Sequence, residues 1–125
     1  MSRRKTEPTL LGLRNQLRAF ARERDWQRFH TPKNLAMSVA VEAAELLEIF
    51  QWLSDTQSSK ISASTRDMAR VREEMADVFI YLIRLADILS IDLEKAAAAK
   101  IARNARRYPV AASKGNAVKH GKRRR

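Results

Sequence analysis

Apolar residues recur along this chain at spacings of three and four, the period of an amphipathic helix. Leu10, Leu13, Leu17 and Phe20 form a first narrow stripe with Arg14, Arg18 and Arg22 opposite, which predicts a helix over about 9–25. A short loop over 26–31 leads to Thr31-Pro32, an N-cap followed by proline at the first helical position, and so to a second helix over 32 to about 53. Residues 54–60 are polar, lack an apolar anchor and read as a linker. A serine cap at Ser62 or Ser64, with Asp67 just inside, opens a third and longest helix that runs to about Ser90. Asp92 caps a fourth, kept slim by Ala96, Ala97, Ala98 and Ala99 and ended by Pro109. Residues 1–8 and 110–125 carry many charges and few apolar groups, and are expected to be disordered.

Four helices with short connections make an all-α protein with a four-helix bundle as its protomer, one domain over 9–109. The composition agrees, with three glycines, three prolines and few β-branched runs in 125 residues. The second and third helices are apolar around most of their circumference, which predicts burial. A bundle of this size cannot cover both, so a second copy of the chain is expected to supply the missing wall.

Net charge is +11, which suggests a nucleic-acid binder until it is located. Arg3, Arg4 and Lys5 at one end, with Lys114, Lys119, Lys122, Arg123, Arg124 and Arg125 at the other, hold most of it, so nucleic acid is not an expected partner of the helical body. There is no cysteine, which excludes thiolate metal sites and disulfides. No apolar run is long enough to span a membrane and no signal-peptide pattern opens the chain, which reads as a soluble cytoplasmic protein.

The chemistry lies in two acidic pairs. Glu42 and Glu45 stand three residues apart on the second helix, Glu74 and Asp77 on the third, so each pair projects from one helix face. One such pair is commonly just the solvent stripe of a helix. Two pairs, on helices otherwise apolar and with Tyr81 one turn beyond Asp77, point instead to four carboxylates that converge. Those would repel one another and raise their own pKa values unless a cation joined them. Neither His30 nor His120 lies three residues after a glutamate, which argues against a di-iron bundle, and all-oxygen ligation suits Mg²⁺, with Mn²⁺ as a substitute. Glu48 and Glu73 are adjacent acids assigned to outer or surface roles, with the alternative that Glu48 reaches a metal from the turn after Glu45.

Aromatic and basic residues flank this centre. Trp26, Phe29 and Trp52 lie next to the ends of the second helix, where flat rings would sandwich a base or, alternatively, pack in the core. Lys100, Asn104 and Arg107 follow one side of the fourth helix and suit phosphate oxygens, or else form a solvated basic helix end. His30 contacts substrate or caps local structure.

The runs Arg24-Asp25-Trp26-Gln27-Arg28-Phe29-His30, Pro32-Lys33-Asn34-Leu35, Glu42-Ala43-Ala44-Glu45-Leu46, Phe50-Gln51-Trp52, Glu74-Met75-Ala76-Asp77-Val78-Phe79-Ile80-Tyr81-Leu82 and Lys100-Ile101-Ala102-Arg103-Asn104-Ala105-Arg106-Arg107-Tyr108-Pro109 complete a pattern. Over about 10–109 it resembles the all-α MazG-like nucleoside triphosphate pyrophosphohydrolases, in particular their dCTP pyrophosphatase branch. The resemblance implies Mg²⁺ on Glu42, Glu45, Glu74 and Asp77, a base and sugar bordered by Trp26, Trp52 and Tyr81, and phosphates faced by Lys100, Asn104 and Arg107. It also implies a homotetramer built as a dimer of dimers. That branch carries a histidine where Leu17 stands here, which leaves the base preference open, and glycine is frequent where Val41 and Ala44 stand.

The expected reaction is hydrolysis of a (deoxy)nucleoside triphosphate, dCTP or a related pyrimidine, to the monophosphate and pyrophosphate, with Glu45 as the general base. Its role would be nucleotide-pool house-cleaning. The rival readings are a nucleic-acid-binding module working through the basic ends and a non-catalytic assembly bundle.

Overall fold

Side-chain caps set most of the helix boundaries in the computed structural model, which describes residues 8–118, all helix and connection without a strand among them. Thr9 accepts from the Gly12 amide at 3.0 Å and starts α1 (Leu10–Glu23). The chain leaves α1 through Asp25 in the left-handed region, φ 53°, and makes a 3₁₀ turn over Gln27–Phe29. Thr31 then accepts from the Asn34 amide at 3.2 Å, with Pro32 opening α2 (Pro32–Phe50). After four residues beyond α2, the span read as a linker holds a short helix, α3 (Asp55–Ser59). No apolar stripe announces it. Its reason is a capping box in which Ser54 Oγ accepts from the Gln57 amide at 3.1 Å and Gln57 Oε1 accepts from the Ser54 amide at 2.9 Å. A 3₁₀ turn over Ile61–Ala63 follows, and Ser64 caps the 24-residue α4 (Thr65–Ile88) through the Asp67 amide.

The chain divides into two compact units, Met1–Ser90 and Ile91–Arg125, with the division falling inside the span read as one domain. In the first unit α2 lies along α4 and α1 packs on α4. His30, just before α2, meets Arg84 near the end of α4, and Glu42 meets Glu74 midway, so α2 and α4 run antiparallel. Ala21, Leu35, Ile49, Val71, Ile83 and Ala86 are buried between these helices. Beside them Asp87 takes both Arg18 and Arg84 as ion-pair partners.

The burial expected of α2 and α4 is only partly met in the single chain. Met37, Val41 and Leu47 on α2 and Met75 and Phe79 on α4 are exposed. The physical reason is that α2 has one long neighbour in its unit, α4, and a helix apolar on most sides needs more than one.

In the second unit Asp92 Oδ1 accepts from the Lys95 amide at 3.0 Å and caps α5 (Leu93–Arg107), as expected. Beyond Pro109, where disorder is expected, the described chain stays helical at first. It makes one further turn, α6 (Val110–Ser113), closed by the Lys114 amide on the Val110 carbonyl at 3.0 Å. The expectations for residues 1–7 and 119–125, His120 and most of the basic cluster included, fall outside the described residues. No helix among the described residues is long and apolar enough to cross a membrane.

Candidate active site

The antiparallel pairing of α2 and α4 brings Glu42, Glu45 and Glu74 together, each offering a carboxylate oxygen within 4.8 Å of the others. Glu42 Oε2 and Glu74 Oε2 are buried with no hydrogen-bond partner. A buried carboxylate oxygen left unsatisfied is costly, and two of them facing a third carboxylate need positive charge or protons. Protons answer first in the isolated chain. Burial, followed by the repulsion of Glu45, Asp77 and Glu74, pushes the Glu42 carboxyl up to about 7, and burial with Glu45 beside it raises Glu74. Asp77, one turn beyond Glu74, lies outside the close triad but adds its charge to both. The donors are all oxygen, the set that a hard divalent cation prefers, so orphaned oxygens and donor chemistry together fit a metal ion. Glu48 and Glu73 are exposed.

One turn beyond Asp77, Tyr81 joins the wall of a half-open cleft of about 100 Å³, lined also by Leu17, Phe20, Ala21, Trp26, His30, Ile80 and Arg84. Trp26 stands at its mouth, 44% exposed, edge to face with Phe20 at 5.6 Å and with His30 at 6.4 Å between ring centroids. Phe29 is exposed with the Arg28 guanidinium over its ring, and so is not the core residue that one reading allowed. Trp52 is 87% exposed, which also removes the core-packing alternative for it.

Within one chain the two tryptophans stand at opposite ends of α2. Trp26 is held at the start of α2 by His30, and Trp52 lies just past its end. A 19-residue helix rises about 27 Å from first residue to last, so the two rings of one chain cannot close on one base.

The cleft also contains a residue that the sequence pattern did not single out. Arg84 is 6% exposed, donates from Nε to His30 Nδ1 at 3.1 Å, and pairs through a terminal nitrogen with Asp87 at 3.4 Å. In sequence it is one charge in an apolar run, and its only legible sign is the three-residue spacing to Asp87. Lys100, Asn104 and Arg107 occur on α5 at spacings of four and three; Lys100 and Arg107 are exposed and Asn104 half-buried within the second unit.

Residues 37–122 match the MazG-like family, whose pyrophosphatases are generally metal-dependent. The chain is similar to bovine dCTP pyrophosphatase 1, 43% identical over 115 residues that make up 92% of this chain and 68% of the relative. The human dCTP pyrophosphatase 1 is 40% identical over 114 residues, 91% of this chain and 67% of its own length. Among solved structures, a pyrophosphatase from Archaeoglobus fulgidus superposes with a TM-score of 0.74 at 40% identity, covering 86% of this chain and 99% of that one. These likenesses support the enzyme class read from the residues, a nucleoside triphosphate pyrophosphatase, and they establish that the chain belongs to the MazG-like family.

Proposed function

We propose that this nucleoside triphosphate pyrophosphatase acts on dCTP or a related pyrimidine nucleotide, with Mg²⁺ held by Glu42, Glu45 and Glu74 and completed by Asp77. The observation that carries the reading is the pair of orphaned buried oxygens, Glu42 Oε2 and Glu74 Oε2, in a cluster of oxygen donors. When bound, the cation supplies charge neutralisation of phosphate oxygens and a polarised water. Glu45 accepts the proton of the attacking water as its oxygen bonds to the α-phosphorus. The bridging oxygen between the α- and β-phosphorus departs with pyrophosphate, leaving the monophosphate. The cleft between Trp26 and Tyr81, one turn along α4 from Asp77, takes the base and sugar. Lys100, Asn104 and Arg107 are assigned to the phosphates on their chemistry and on the family pattern.

The separation of Trp26 and Trp52 gives the oligomer a role in this proposal. The exposed Trp52 of a second copy would reach the base that Trp26 of the first cannot sandwich alone, and the apolar residues left open on α2 and α4 would be covered by the same association. A homotetramer, as a dimer of dimers, satisfies both. The likeness to the dCTP pyrophosphatases favours dCTP, and Leu17 in the cleft wall makes the base the variable to measure. Incubating the purified chain with a panel of nucleoside triphosphates and Mg²⁺ tests the reading. Pyrophosphate and monophosphate are the expected products, and orthophosphate in their place refutes it.

A further inference from the structure

His30 and Arg84 meet in a way that leaves little chemical freedom. Arg84 Nε carries a hydrogen and donates it to His30 Nδ1 at 3.1 Å, so Nδ1 must present a lone pair. The neutral ring then holds its one proton on Nε2. Protonating the ring would place an N–H against the guanidinium N–H and bring two cations together. Burial of the ring and the charge of Arg84 both lower the His30 pKa, in the same direction.

Arg84 is itself held in place. Its side chain is 7% exposed and pairs with Asp87, 8% exposed, which in turn accepts a two-pronged pair of hydrogen bonds from Arg18 of α1, at 2.5 and 2.7 Å. The charged groups facing His30 are thus Arg84 and, behind it, Asp87 of α4 and Arg18 of α1. Most of the remaining cleft wall, Leu17, Phe20, Ala21 and Ile80, offers no hydrogen bond to a ligand.

We propose that Arg84 is a positioning residue that locks His30 as a neutral Nε2–H donor, and that this donor reads a hydrogen-bond acceptor on the base edge of the nucleotide in the cleft. An acceptor such as a ring carbonyl oxygen satisfies the donor, and a base edge that presents only N–H groups there leaves it unpaired in an apolar wall. The recognition half rests on the nucleotide reading above; the lock does not.

Two measurements on the full-length chain separate them. Long-range ¹H–¹⁵N spectra of the protein without nucleotide report the tautomer of each histidine, and a His120→Gln variant assigns the His30 signals. The expected result is a single Nε2–H tautomer that stays neutral where an ordinary imidazole is already taking up a proton. Arg84→Met leaves the ring buried but should move the His30 titration up toward the ordinary range and admit the Nδ1–H tautomer; an unchanged His30 in that variant, or an Nδ1–H tautomer in the wild type, overturns the lock. The second measurement is kinetic and stands even where Arg84→Met fails to fold. His30→Phe fills the space without a donor and should raise KM roughly tenfold with kcat held, while His30→Gln, which places an N–H near the Nε2 position, should recover most of that loss. Equal KM values for the Phe and Gln variants overturn the recognition. Absence of any hydrolysis by the wild type refutes the enzymatic reading and leaves the tautomer result standing.

Discussion

Replacing Glu42 by glutamine tests the electrostatics of the acidic cluster directly. In the folded chain the Glu42 carboxyl titrates at about 7 against an ordinary value of 4.5, first because it is buried and then because Glu45, Asp77 and Glu74 surround it. The unfolded chain therefore releases this proton earlier than the folded one as pH rises. Between 4.5 and 7 the folded state binds more protons, so stability falls with rising pH across that window and levels off above it. The full interval corresponds to roughly 3 kcal/mol at about 1.4 kcal/mol per tenfold change in proton affinity. Glu42 is only half-buried, and solvent screening reduces this to about 1–2 kcal/mol. Urea unfolding at a series of pH values, with EDTA present, should show Glu42→Gln more stable than wild type by that amount at pH 8 and nearly equal to it at pH 4. Adding Mg²⁺ at a hundredfold excess over Kd should stabilise the wild type by about 2.7 kcal/mol at pH 8 and the variant by much less. Because the carboxyls titrate together, the difference between the two proteins reports the cluster, not one residue. An equal pH slope in wild type and variant would show that the three carboxylates do not feel one another, and the cation site would have to be abandoned.

Substituting Glu45 or Glu74 by glutamine should lower kcat by more than the roughly 10–100-fold that outer metal-site changes cost, measured as pyrophosphate released at saturating Mg²⁺. Trp52→Ala should raise KM about 5- to 150-fold, the range of one stacking contact, while the melting temperature stays put because the ring is exposed. Ser90 holds a φ of 55° just past α4, so Ser90→Gly should stabilise the fold by about 0.5–1 kcal/mol in urea unfolding.

Much of the helical frame can be read in the sequence because the caps are local. Thr31-Pro32, Ser64 ahead of Asp67, and Asp92 each act within a few residues, and the structure places all three at helix starts. Helix α3 escaped because a five-residue helix has no room for an apolar period, and its capping box is a pair of polar residues that also suits a turn. The acidic triad was legible from spacing, since three residues along each helix fixes a face. Which carboxylates approach within bonding range of one ion depends on the offset between α2 and α4, and that offset sets Asp77 apart from the closest three. That Trp26 and Trp52 of one chain cannot share a base was legible beforehand, since a helix of some twenty residues separates them and its rise exceeds any clamp on a single base. Arg84 was missed for the opposite reason. Its partner His30 is 54 residues away, and the one local sign, the three-residue spacing to Asp87, is too common on exposed helix faces to mark an arginine as buried.

The same helical unit treats two groups of sheltered charge in opposite ways, and the contrast bears on what the acidic cluster is for. Asp87 sits between Arg18 and Arg84; the hydrogen bonds from Arg18 outweigh its burial and hold its carboxyl below the ordinary range. That group needs nothing more as folded, since its one carboxylate has guanidinium partners from both α1 and α4. Glu42 and Glu74 are raised, their close neighbours are other carboxylates, and each keeps a buried oxygen with no partner. A fold able to place two guanidiniums on one aspartate has the means to neutralise carboxylates where stability is the object. At the middle of α2 and α4 it instead concentrates negative charge, at a cost that weakens the chain at neutral pH. Such a local conflict is typical of a site shaped for a ligand more than for the fold. Among the described residues no cation stands as a close neighbour of the cluster, and the proposed divalent cation, bringing a triphosphate with it, is a partner whose chemistry fits the oxygens left open.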